Sequence, residues 1–90
     1  MARRLTLLGQ PDCHLCHQMR AVVEKVVAGT DAVLFEEDVR SDPGWRRYRL
    51  EIPVLLLDGE ELARHRIGED DLRRLLSERG LSCSHEPTSS

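Results

Sequence analysis

Cys13 and Cys16 stand at a junction where an apolar run gives way to a helical one, and no other feature of the chain constrains its fold as much. The run before them, Leu5-Thr6-Leu7-Leu8, reads as a short strand, and Gly9-Gln10-Pro11-Asp12 reads as a turn. Beyond the turn, Leu15, Met19, Val22, Val23 and Val26 recur at helical spacing and predict one buried helix face. A C-x-x-C at a strand-to-helix junction of an intracellular protein is the signature of a dithiol redox site. Cysteines so spaced in a first helical turn share a face and can close a small disulfide ring. The free N–H groups and positive dipole end of the helix also stabilise a thiolate on the first cysteine. The thiolate is the nucleophile of disulfide exchange, so Cys13 is expected to attack and Cys16 to resolve.

The 90 residues suit one domain. A chain of this size buries only roughly 60–65% of its unfolded surface, so its core must be compact. Aromatics are limited to Phe35, Trp45 and Tyr48, which leaves the core to Leu and Val. The net charge of −3 is small and evenly spread, and no nucleic-acid partner is expected. No apolar run approaches the ~20 residues of a membrane span. After Met1-Ala2-Arg3-Arg4 only about four apolar residues precede Gly9, too few for a secretory leader. The expectation is a cytoplasmic, thiol-reducing setting, where three cysteines do not make a structural disulfide framework.

Ala32-Val33-Leu34-Phe35 with Val39 suggests a second strand. Ser41-Asp42-Pro43 opens a short helix whose apolar side would be Trp45, Tyr48 and Leu50. Ile52-Pro53-Val54-Leu55-Leu56-Leu57 is a buried strand that turns back at Asp58-Gly59 into Glu60–Arg64. Gly68-Glu69-Asp70-Asp71 starts a last helix that presents Leu72, Leu75 and Leu76 to the core and stops at Gly80. The order β-α-β-α-β-β-α predicts an α/β domain over residues 1–81, with a four-stranded mixed sheet and helices on both faces. Residues 82–90 carry no apolar pattern and are expected to form a disordered tail.

That order, with Cys13-His14-Leu15-Cys16 after the first strand and Ile52-Pro53 before the third, resembles the glutaredoxin branch of the thioredoxin superfamily. It is most similar to the small bacterial proteins grouped as the glutaredoxin-like domain family. The resemblance runs from about Arg4 to Gly80 and implies a thioredoxin-like, glutaredoxin-type fold. It implies a cis Ile52–Pro53 bond, with the backbone of Ile52 offered to an extended substrate. It also implies substrate contacts from Pro53 and from Gly68, Glu69 and Asp70. Departures from the family pattern bear on glutathione. His14-Leu15 replaces Pro-Tyr, Gln10 stands where the family has a cation, and Glu51-Ile52 replaces Thr-Val. Arg46, Arg47 or Arg49 could supply the missing cation.

Other chemistries share these cysteines. Cys13 to His17 also spells C-x-x-C-H, the c-type haem attachment pattern, but no methionine follows Met19 to serve as axial ligand. Zinc would use Cys13, Cys16 and His17, completed by Cys83 or His85, a pair without ligand spacing. An iron–sulfur cluster shared between two chains is the third metal reading. A partner-binding module without catalysis is the remaining one. His14, next to the nucleophile, would favour its thiolate if protonated, or is a plain solvent-facing residue. The leading expectation is a thiol–disulfide oxidoreductase, monomeric and without metal or organic cofactor. It would act on protein or low-molecular-weight disulfides and draw electrons from glutathione or a thioredoxin-reductase-like flavoprotein.

Overall fold

The first apolar run is the middle of a sheet. A computed structural model of the protein, which describes residues 3–81, places β1 (Arg4–Gly9) there with a neighbour on each side. Then follow α1 (His14–Val27), β2 (Val33–Asp38), a 3-10 helix (Pro43–Tyr48), β3 (Val54–Leu57), β4 (Glu60–Arg64) and α2 (Glu69–Glu78). The sheet order is β2-β1-β3-β4. β1 runs parallel to β2 and antiparallel to β3, and β4 is antiparallel to β3. Strands β1 and β3 are buried without alternation, as strands covered on both faces must be.

On one face Leu5, Leu7, Leu55 and Leu57 pack against Met19, Val23 and Val26 of α1 and Leu72 and Leu76 of α2. The buried stripe of α1 is Cys16, Met19, Val23 and Val26. Leu15, expected on that stripe, is more than a third exposed, because one residue back from Cys16 is about 100° around the helix. On the other face Leu8, Val54 and Leu56 meet Val39 and Tyr48, flanked by Trp45 and Ile52. The predicted second helix is the 3-10 helix, capped by Asp42, whose Oδ1 accepts the Gly44 N–H at 2.8 Å. Leu50, expected on its apolar side, is 92% exposed, since the helix has already ended. So short a helix leaves Val33 and Phe35 of β2 partly open, with the Arg4 guanidinium stacked 4.4 Å from the Phe35 ring.

The turn signals behave as their chemistry requires. Asp58 and Gly59 both take positive φ, 51° and 91°, as a tight two-residue hairpin demands. The Asp58 carboxylate accepts from Arg3 Nε and from the Arg4 N–H, tying this turn to the start of β1. Gly80 takes φ 89° after α2. Its N–H donates to Ser77 O and the Leu81 N–H to Leu76 O, the paired bonds of a Schellman stop. The tail expected from Ser82, with Cys83 and His85, lies outside the described residues. Among the described residues no helix is long and apolar enough to cross a membrane.

Strand direction gathers four chain segments at one end of the sheet. β1 and β2 are parallel and finish together, Gly9 beside Asp38. Leu8 pairs with Val54, which sets Pro53 opposite Gly9, and Val54 pairs with Arg64 at the exit of β4. The turn carrying the cysteines, the loop after β2, the proline loop and the path into α2 therefore share one edge.

Leu55 is fully buried between β1 and the two long helices, whereas Leu50 touches mainly water. Leu55→Ala is expected to cost about 2–5 kcal/mol in urea unfolding, and Leu50→Ala to stay within about 0.5 kcal/mol.

Candidate dithiol site

Cys13 is the N-cap of α1, and its extended backbone (φ −90°, ψ 109°) turns the chain out of the loop and into the helix. Its Sγ accepts the Cys16 N–H at 3.1 Å, one of the N–H groups a helix start leaves unsatisfied. The two residues form a disulfide with their Cα atoms 5.2 Å apart, so the structure records the oxidised pair. Cys16 is only 7% exposed, packed below α1, while Cys13 is half-buried at the surface. One sulfur is offered to solvent and the other is held behind it.

The sequence did not reveal how Gly9 and His17 support the pair. Gly9 ends β1 directly against Cys16, and a Cβ there would lie 2.8 Å from Cys16 Sγ. The glycine is needed for that close approach of strand and helix. His17 Nε2–H donates to Pro11 O at 2.9 Å, bracing the turn before Cys13 from the helix side. A cleft of about 220 Å³ reaches Cys16 between this turn and β2, lined by Gly9, Gln10, Pro11 and His17 below and Arg20 and Glu36 across it. Arg20 Nη1 and Glu36 Oε1 pair at 3.5 Å. At the end of β2, Arg40 grips Asp38 through both carboxylate oxygens, 3.0 and 2.8 Å. The guanidinium, helped by the Arg40 N–H, pulls the Asp38 carboxyl down to about 2.

The Ile52–Pro53 bond is cis, as the resemblance implies. Pro53 O accepts the His65 N–H at 2.7 Å, with His65 itself in the left-handed region at φ 70°. Glu51 Oε1 is shared by Arg64 Nη1 and His65 Nε2, each at 3.1 Å, so its charge is compensated by the exit of β4. Neither polar group of the Ile52 backbone finds a hydrogen-bond partner among the described residues, although its side chain packs into the core below.

His14, next to Cys13, and the start of α2 were also singled out from the sequence. His14 accepts at Nε2 from the Gln18 amide, 3.1 Å away along the helix surface. Gly68 caps α2 without a side-chain bond. Glu69 pairs with Arg73 and with Lys25, roughly three turns along α1 from Cys13, and Asp70 is fully exposed. Among the described residues no group of three or more His, Cys, Asp or Glu side chains could hold a metal ion.

The comparisons agree with this geometry. Residues 4–77 match the family described as Glutaredoxin-like domain (DUF836). No curated protein matches. The X-ray structure of target protein XcR50 from X. campestris is 30% identical at TM-score 0.68, covering 82% of this chain and 96% of its own. Protein Ne2328 from Nitrosomonas europaea is 25% identical at TM-score 0.62, covering 80% and 88%. A mutant thioredoxin from Halobacterium salinarum is 28% identical at TM-score 0.62, covering 84% and 73%. The fold is therefore α/β and thioredoxin-like, with a four-stranded mixed sheet. A C-x-x-C pair at disulfide distance on such a fold points to redox function.

Two outcomes follow from the packing under the pair. Gly9→Ala forces strand and helix apart at Cys16 and is expected to lower stability of the oxidised protein by about 1–3 kcal/mol. Gly68→Ala, with open space around its Cβ, should change urea unfolding far less. Asp38 supplies an acid-side signature. Its folded carboxyl is depressed, so the unfolded chain binds more protons between pH 4 and pH 2. The stability it contributes is present above that window and is lost as pH falls through it. Because the pair is exposed and screened, the difference in urea midpoint between wild type and Asp38→Asn should be small at pH 6 and should shrink toward zero as pH falls to about 2.

Proposed function

The chain belongs to the glutaredoxin-like domain family, and on that premise we propose that it is a thiol–disulfide oxidoreductase in which Cys13 attacks and Cys16 resolves. One observation carries the assignment of roles: Cys13 Sγ receives a helix-start N–H at the surface, while Cys16 is 7% exposed behind it. A thiolate on Cys13 is stabilised by that N–H and by the positive end of α1.

In the first step the Cys13 thiolate attacks one sulfur of a substrate disulfide. The substrate S–S bond breaks, and its far sulfur leaves as a thiolate that takes up a proton. In the second step Cys16 loses its proton and attacks Cys13 Sγ. The bond between Cys13 and substrate breaks, and the second substrate thiolate is protonated. The substrate disulfide gains two electrons and two protons, and the protein dithiol becomes the disulfide described above. Return to the dithiol draws two electrons from glutathione or from a thioredoxin-reductase-like flavoprotein. Neutral Gln10, in place of a cation, favours the flavoprotein, because charge-assisted bonds to its carboxylates hold a ligand as small as glutathione.

Substrates are protein or low-molecular-weight disulfides. An extended strand bearing the disulfide would pair with the open backbone of Ile52 beside Pro53. The activity is proposed for residues 1–81 as a monomer in the cytoplasm. Gly68, Glu69 and Asp70 are the weaker part of the proposed substrate site, since Glu69 is already paired and Asp70 faces water.

Cys13→Ser should abolish disulfide reduction, and Cys16→Ser should accumulate mixed disulfides visible as a mass increase. Alkylation of the reduced protein should show Cys13 reacting first, with an inflection between roughly 3.5 and 7.5. Faster labelling of Cys16, or an inflection of Cys13 near ~8.5, would reverse the assigned roles.

A further inference from the structure

Resting on the dithiol reading above, we propose that Arg46 and Arg49, with Arg40 beside them, select peptide and protein disulfides that carry a carboxylate side chain near the reactive cysteine. The three arginines line one cleft of about 310 Å³ together with Val39, Asp42 and Pro43. That cleft adjoins the dithiol through two residues. The Val39 N–H donates to Gly9 O at 2.9 Å, and Gly9 rests on Cys16 Sγ. From the other side Arg40 lies within the electrostatic reach of Asp12, the residue before Cys13.

The charges in this cleft are not consumed by the protein itself. Arg40 is committed to Asp38, but Arg46 and Arg49 are exposed and make no side-chain ion pair or hydrogen bond among the described residues. The one acid lining the cleft, Asp42, uses Oδ1 to cap the 3-10 helix. Arginine offers a planar fork of donors that fits a carboxylate in bidentate fashion, and the unpaired forks of Arg46 on the short helix and Arg49 at its C-cap make a site for such a group.

The segment that follows indicates a peptide as occupant. Leu50, next to Arg49, is 92% exposed, and two residues later comes Ile52 with its open backbone beside the cis-proline. From arginine to proline the surface offers charge, an apolar side chain and free backbone groups in sequence. A small thiol spans only one of these. An extended peptide spans all three, and within its chain the anionic side chains it carries are aspartate and glutamate.

The test uses the full chain and three disulfide-linked peptides, identical except for Glu, Gln or Lys two residues from the cystine. One exposed arginine–carboxylate pair amounts to a few-fold, so two should favour the Glu peptide over Gln by roughly fivefold to tenfold in kcat/KM. The preference should shrink in 0.5 M salt, where the Debye length falls to about 4 Å. Arg46→Gln with Arg49→Gln should abolish it, so that the Glu and Gln peptides turn over alike. Arg46→Lys with Arg49→Lys should retain a salt-sensitive part, and Arg74→Gln on α2 should leave it intact. Equal turnover of the three peptides, or a preference that survives in the glutamine variant, overturns the recognition surface alone. Turnover of none by wild type overturns the dithiol reading, and this proposal with it.

Discussion

The close approach of β1 to α1 at Gly9 and Cys16 is the contact on which the site depends. A strand that must end against a helix sulfur has room for no side chain, and Gly9 supplies none. The tight approach keeps Cys16 buried, and the helix start itself aims the Cys16 N–H at Cys13 Sγ. The burial of Cys16 and the capping contact at Cys13 thus sit at one junction of strand and helix. The buried stripe of α1 continues it, with Met19, Val23 and Val26 anchoring the helix over β1 and β3.

Around that contact the sheet acts as a jig. Parallel β1 and β2 and antiparallel β3 and β4 bring their loops to the same edge, which places the cis-proline opposite Gly9. Polar links then pin each loop. His17 holds Pro11, Arg40 holds Asp38, and the Glu51 carboxylate joins Arg64 to His65. Exposed pairs of this kind add little to global stability. What they can do is hold loop geometry, whereas the folding free energy comes from the leucine and valine layers on either side of the sheet.

The two faces of the sheet are unequally covered. Two long helices close one face, and a single 3-10 helix partly closes the other. The short helix leaves Phe35 and Val33 half open, and Arg46 on it and Arg49 at its end line one cleft with Val39 and Arg40. A longer helix there would bury more of the sheet and aim those arginines elsewhere. The economy in chain length that makes the core small also shapes the surface near the reactive sulfur.

Much of the fold was legible because its signals are local. The turn at Asp58-Gly59, the stop at Gly80 and the strand–turn–helix junction at Cys13 depend on residues within one turn of each other. The different positions of the two cysteines were legible for the same reason, since the helix start by itself separates Cys13 at the cap from Cys16 one turn in. Leu15 and Leu50 show where local pattern ends. Both fit an apolar periodicity, and both lie outside the core, because which part of a helix is buried depends on what packs against it. The importance of Gly9, the brace from His17 and the sharing of Glu51 were illegible for a stronger reason: each joins residues whose proximity only sheet register and helix docking create. The sequence by itself determined the element order, the turns and the place of the cysteine pair at a helix start, all consequences of backbone preference and short-range periodicity. The tertiary structure alone decided how deeply Cys16 is shielded, which arginines stay unpaired and which loops meet at the dithiol, because burial and Coulomb contacts depend on distances that sequence separation does not encode.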